Sequence, residues 1–299
     1  MGNILVGTSS WADRSLVVSG RFYPPEIKTP AARLNYYSKE FPIAEIDTSF
    51  HFFPTSHNLA LWLDNTPEGF TFDIRAYSMF TGHPAQFAAL PASIRRQYPD
   101  LVEHKTLYLH HLPVPAVEQL WGLFAAYAAT VEKAGKLGVV LFQFPPWFHP
   151  SEENREYLIS CRERLRDYRL AVEFRTGDWV TGETLPTTLA FLRRHGIALV
   201  CVDEPQGLKT SVPPVTAATA SVAMVRFHGR NTETWEKRGS SPADRFNYLY
   251  KREELEEWAV KVKELSLQAE KVHVIFKNKF EDYSARNARD FNVLLRAMN

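Results

Sequence analysis

Several things are scarce or missing in this chain of 299 residues, and each absence removes a class of function. Its two cysteines, Cys161 in a helical stretch and Cys201 in an apolar run, are too few for a disulfide framework or a metal knuckle. Both read as small buried hydrophobes. No apolar stretch approaches the roughly 20 residues of a membrane span. The start, Met1-Gly2-Asn3-Ile4, carries neither a charged n-region nor an apolar h-region, so a cytoplasmic protein is expected. Charge of one sign is missing as well: 35 basic residues against 34 acidic leave a net charge of +1. That balance argues against a membrane or nucleic acid as partner. Gly7-Thr8-Ser9-Ser10 lacks the Lys-Ser/Thr of a phosphate loop, and neither a Gly-x-Ser-x-Gly elbow nor a His-Glu-x-x-His pair occurs.

What is present is a repeated pattern. Eight short apolar runs end in polar or charged residues: 4–8, 43–49, 70–75, 138–144, 169–175, 198–203, 225–230 and 272–278. Stretches with helical spacing separate most of them, at 31–40, 56–63, 117–136, 153–166, 187–195, 253–267 and 285–298. Eight strands alternating with helices predict a (β/α)8 TIM-type barrel, because an open sheet of eight would leave two edges. The length fits one domain over 1–299, with a long insertion between strands 3 and 4 at 76–138. Thr81-Gly82-His83-Pro84 lies in that insertion and is expected at a rim or lid. The irregular stretch 229–241, with Arg230, Trp235, Lys237 and Arg238, follows the seventh strand, where barrel loops border the site.

The motifs Gly7-Thr8-Ser9-Ser10-Trp11, Phe22-Tyr23-Pro24, Glu45-Ile46-Asp47-Thr48-Ser49-Phe50, Leu141-Phe142-Gln143-Phe144-Pro145-Pro146, Glu173-Phe174-Arg175, Val202-Asp203 and Val225-Arg226-Phe227-His228-Gly229-Arg230 run from end to end in one order. With Trp62, Trp179, Phe276, Asn278, Ala285 and Asn287-Ala288, the chain closely resembles the YecE-like family, known as domain of unknown function seventy-two. The resemblance implies a TIM-type barrel and supplies no activity. Three positions depart from the family pattern: His51 stands where Tyr is usual, Arg75 where Lys is usual, and Lys277 where Asn is usual.

Period-two alternation assigns the barrel interior. If Ile46, Phe72, Ile74, Val172, Phe174, Val202, Val225 and Phe227 face the helices, then Glu45, Asp47, Asp73, Arg75, Glu173, Arg175, Cys201, Asp203, Arg226 and His228 point inward. Barrel interiors are usually filled by branched apolar side chains, and each buried charge loses several kcal/mol of hydration. Two explanations compete. One is a structural lattice in which Arg226 neutralises Glu45 or Glu173; the other is a polar cavity at the strands' C-terminal ends.

The cavity reading makes Glu45, Glu173, Asp203 and His228 the catalytic candidates, since paired carboxylates and an imidazole suit proton transfer. Arg75, Arg175, Arg226, Gln143, Asp47 and Asn278 would hold the substrate, and Trp11 and Trp179 would wall it. No metal is expected, because Arg75, Arg175 and Arg226 in the same ring would repel a dication. The expected protein is an acid/base enzyme, a hydrolase or isomerase without an organic cofactor. Its partner would be a small sugar- or nucleotide-like molecule, phosphorylated or carboxylated. The alternative is a non-catalytic barrel that binds nucleic acid or a partner through Arg230, Lys237 and Arg238. The sequence specifies no oligomeric state.

Overall fold

The computed structural model describes residues 2–237, 239 and 242–298; Met1, Arg238, Ser240, Ser241 and Asn299 of the stretches named above lie outside them. Eight strands form a closed barrel: β1 Asn3–Ser9, β2 Ile43–Ile46, β3 Thr71–Arg75, β4 Leu137–Gln143, β5 Leu170–Glu173, β6 Ile197–Asp203, β7 Val222–Phe227 and β8 Lys271–Phe276. All pair in parallel, each with its sequence neighbour, and β8 returns to β1 from Asn3↔Lys271 to Thr8↔Phe276. The helices are α1 Arg14–Ser19, α2 Pro30–Glu40, α3 Ser56–Asp64, α4 Ala92–Gln97, α5 Val114–Lys133, α6 Glu152–Arg164, α7 Thr184–His195, α8 Pro242–Arg245, α9 Arg252–Ser266 and α10 Tyr283–Ala297.

Local sequence explains where these helices begin. Thr29 caps α2 by accepting from the Ala32 N–H at 3.1 Å, and Pro30 occupies the first turn, where its missing donor costs nothing. The longest helix, α5, buries Leu120, Phe124, Tyr127 and Val131 at steps of three and four residues. Together with α4 it fills the expected insertion between β3 and β4. The 204–221 connection from β6 to β7 carries no helix, the one place where the alternation fails.

Two strands begin or end three residues away from the apolar runs that signalled them. β2 stops at Ile46 because Asp47–Phe50 turns as a 3-10 helix. β7 starts at Val222 and ends at Phe227, and Gly229 follows at φ +88°, where a Cβ would stand 2.8 Å from the Tyr248 Cβ. Only glycine fits that turn.

Toward the strand N-termini the interior is closed by another polar contact, His273 Nδ1 at 2.9 Å from Asp73 Oδ1. The same Asp73 oxygen accepts from the Val139 N–H at 2.9 Å. Gly138 lets β4 come this close, since a Cβ there would stand 2.2 Å from Asp73 Oδ1. Asp73 is thereby used in joining strands, below the mouth.

Candidate active site

Strand register decides which charges look inward. Glu45 pairs with both Ser9 and Asp73, Gln143 with Glu173, and Arg226 with Val202 and Ile275, so these residues share the interior face. On β6 the inward residue is therefore Val202, and Asp203 pairs with Phe227 on the outer face. This corrects the expectation that Cys201 and Asp203 face inward and that Val202 faces the helices. Asp203 instead holds the Arg230 Nε at 3.0 Å through both oxygens, behind the barrel wall and near α9. Arg230 also reaches Glu254 at 3.2 Å and Glu257 at 3.7 Å, so its charge is neutralised away from the mouth.

The parity error hid an interior carboxylate one residue later. Glu204 is buried, takes Arg175 Nη1 at 2.7 Å and accepts from the Val212 N–H at 2.8 Å. Burial pushes its carboxyl up to about 7, against the pull of Arg175 and the Val212 N–H. Continuing the alternation past the end of β6 from an inward Val202 would have found it.

The floor of the mouth is a connected ionic layer. Glu45 Oε1 accepts from Ser9 Oγ at 2.9 Å and from Arg226 Nη2 at 2.7 Å. Arg226 Nη1 pairs with Glu173 Oε2, and Glu173 Oε1 faces His228 Nε2 at 3.0 Å and Arg175 Nη1 at 3.3 Å. Burial alone would raise the Glu173 carboxyl, but Arg226, His228 and Arg175 hold it well below the usual carboxylate range. Burial would likewise lower the Arg226 guanidinium, and Glu173 with Glu45 keep it raised. For His228 burial prevails, with Arg175 and Arg226 adding to it, and the imidazole falls to about 3. The neutral ring then donates Nε2–H to anionic Glu173, which leaves Nδ1 with a lone pair. That Nδ1 is buried and has no hydrogen-bond partner.

Above the layer, Asp47 gathers three cations: Arg75, Lys279 at 2.7 Å and Lys277 at 3.7 Å. Burial would raise its carboxyl, and these neighbours hold it well below the ordinary range. Arg75 also donates from Nη2 to Gln143 Oε1 at 3.0 Å and lies over the Phe50 ring at 4.0 Å.

A cavity of about 470 Å³ opens over this floor. His83, Gln143, Arg175, His228 and Lys277 line its inner part, and Lys209, Lys237 and Arg245 line its outer part. Its aromatic wall is Trp235 and Phe246, whose rings lie 6.1 Å apart, with the Arg175 guanidinium 4.9 Å from the Trp235 ring. The insertion thus contributes His83, from the segment expected at the rim.

The two tryptophans expected as walls lie elsewhere. Trp11 is buried outside the barrel against Trp62 and Phe72, and Trp179 stacks on Phe174 at 4.4 Å with its Nε1 on the Phe148 carbonyl. Asn278 also faces outward, donating to Asn287 Oδ1 at 2.8 Å and to the Tyr248 carbonyl at 2.9 Å. A position near a strand end does not fix the face that a tryptophan takes.

No group of three His, Cys, Asp or Glu side chains converges in a metal-binding arrangement among the described residues. Likewise, no described helix is long and apolar enough to cross a membrane.

Comparison with known proteins agrees with the barrel. The model of the family described as "Protein of unknown function DUF72" matches residues 5–299. The chain is 33% identical over 297 residues to the UPF0759 protein YunF of Bacillus subtilis, covering 98% of this chain and 94% of that one. A DUF72 family protein from Thermotoga maritima superposes with a TM-score of 0.77 at 30% identity, over 98% of this chain and 99% of that one. One from Enterococcus faecalis gives 0.78 at 25% identity, over 98% and 95%.

Proposed function

The chain belongs to the family of proteins of unknown function DUF72, whose name states no reaction, and from its cavity we propose an acid/base enzyme that moves a proton on a small phosphorylated or carboxylated substrate. The observation that carries this reading is the Glu173–His228 pair at the floor of a cavity lined by cations. Arg175, Lys209, Lys237 and Arg245 favour an anion, and Trp235 with Phe246 favours a ring or an aliphatic face beside it. Glu173 fixes the imidazole tautomer and would stabilise the imidazolium formed when Nδ1 accepts a proton.

The arginines supply a control on this base. In the unliganded cavity His228 sits at about 3, a weak base at neutral pH. An anion against Arg175 offsets one of the charges that depress it, so the imidazole gains basicity when the substrate is bound. Glu45 supports isomerisation over two-carboxylate hydrolysis, because it is buried beneath Arg226 and offers no second acid to the cavity.

The test is a screen of small phosphorylated and carboxylated sugars and hydroxy acids in D2O, read by NMR for deuterium uptake and product. A substrate should lose turnover by about 100-fold or more in His228→Gln while still raising the melting temperature of that variant. Equal turnover in wild type and His228→Gln, or no stabilisation by any anion, overturns the proposal.

A further inference from the structure

The geometry points to a second reactive group in the same cavity: we infer that Lys277 captures the carbonyl carbon of a small anionic aldehyde or ketone as a Schiff base. The inference rests on the anion-binding reading of the cavity and narrows its substrate class.

Lys277 directly follows β8, and alternation from Ile275 turns it inward. Its side chain is buried and lines the cavity beside His228 and Phe246. Its ion pair with Asp47 is 3.7 Å long, beyond hydrogen-bond length, and Asp47 is already engaged by Arg75 and by Lys279 at 2.7 Å. Lys136 shows what a buried structural lysine looks like in this protein. Its Nζ donates at 2.6 Å to the Leu63 carbonyl and at 2.8 Å to both the carbonyl and the hydroxyl of Thr66. The Lys277 side chain, in contrast, lines the cavity, and among the described residues its amine meets only Asp47 at 3.7 Å and the Phe246 ring at 5.9 Å.

The groups facing it also keep it neutral. Asp47 and Glu45 favour the ammonium form, while burial, Arg75 and Arg226 oppose it and hold the amine well below the ordinary lysine range. A neutral buried amine is the nucleophilic form. Attack of its lone pair on a carbonyl carbon forms the C–N bond, and the amine proton passes to the carbonyl oxygen to give a carbinolamine. Loss of that oxygen as water, with His228 relaying the proton, leaves the C=N bond. One water is released and nothing is oxidised or reduced. Arg175 and Lys209 would hold the anionic end of the same molecule.

Reductive trapping of the whole protein tests it. Pyruvate, glyoxylate and glycolaldehyde phosphate, each with cyanoborohydride, should give a single adduct located by peptide mass spectrometry at Lys277. Acetone and propionaldehyde should label that residue at least 10-fold less. Labelling at Lys277 should rise less between pH 7 and pH 9 than labelling of surface lysines does. Lys277→Met should remove the adduct, and Lys277→Arg, which keeps a cation but cannot form an imine, guards against a folding defect in the first variant. Adducts only on surface lysines, or equal labelling of wild type and both variants, overturn the Schiff base. Stabilisation by phosphate or sulfate is measured in parallel: if it persists while trapping fails, only the Schiff base is lost; if it too is absent, the anion-binding reading falls.

Discussion

Arg226 Nη2 stands 2.7 Å from Glu45 Oε1 inside the barrel, with neither side chain exposed. The same guanidinium pairs with Glu173, so one cation compensates two buried carboxylates. Removing it leaves both anions without their main partner in a site where burial disfavours charge. Arg226→Met should therefore cost about 3–5 kcal/mol, read from the urea midpoint of unfolding. A loss below 1 kcal/mol would mean that the carboxylates find other partners.

His228 separates structure from chemistry. The one hydrogen bond of its ring is to Glu173, which keeps Arg226 and Arg175 when the imidazole is gone. His228→Gln should then lose only about 1–2 kcal/mol. The NMR signals of the His228 ring should report a neutral imidazole throughout pH 5–8, and added phosphate should shift its titration upward. A ring that charges near 6.5 with or without phosphate would contradict its burial beside Arg175 and Arg226.

The sequence made the barrel legible because strand and helix periodicities are backbone properties, repeated eight times. The interior was legible only where the run itself set the parity. Glu45, Glu173, Arg226 and His228 lie on strands whose apolar partners pack outward, as Phe227 does against Trp258 at 5.3 Å. In β6 the stretch Ile197-Ala198-Leu199-Val200-Cys201-Val202 is apolar on both faces, so alternation gave no phase. Asp203 was read inward and Glu204 missed for that reason. Lys277 and Asn278 form the same ambiguity just past β8, and the register of Ile275 together with the hydrogen bonds of Asn278 to Asn287 and Tyr248 resolves it. Cavity walls such as Phe246 come from loops, where side-chain direction has no period to follow.

The outward placement of Asp203 has its own consequence. Asp203→Asn should leave stabilisation by phosphate or sulfate unchanged and cost about 1–3 kcal/mol of global stability, because Arg230 loses the charge that orders it near α9. A variant that keeps its stability but no longer binds anions would return Asp203 to the cavity.

Glu204 gives a signed pH effect. Its folded carboxyl sits at about 7, above the ordinary value of 4.5, so between these values the folded state holds more proton than the unfolded one. Stability from this group is present below pH 4.5 and falls as pH rises through 7. His228 acts in the opposite sense, with stability lost as pH falls below the ordinary value of 6.5 toward 3, so the raw curve mixes the two. Glu204→Gln isolates the first, since a neutral amide stands in for the protonated acid. The stability of the variant relative to wild type should grow by on the order of 3 kcal/mol from pH 4.5 to pH 8, measured by urea unfolding at each pH. A difference that stays flat would show Glu204 ionised throughout and Arg175 holding it as a plain ion pair.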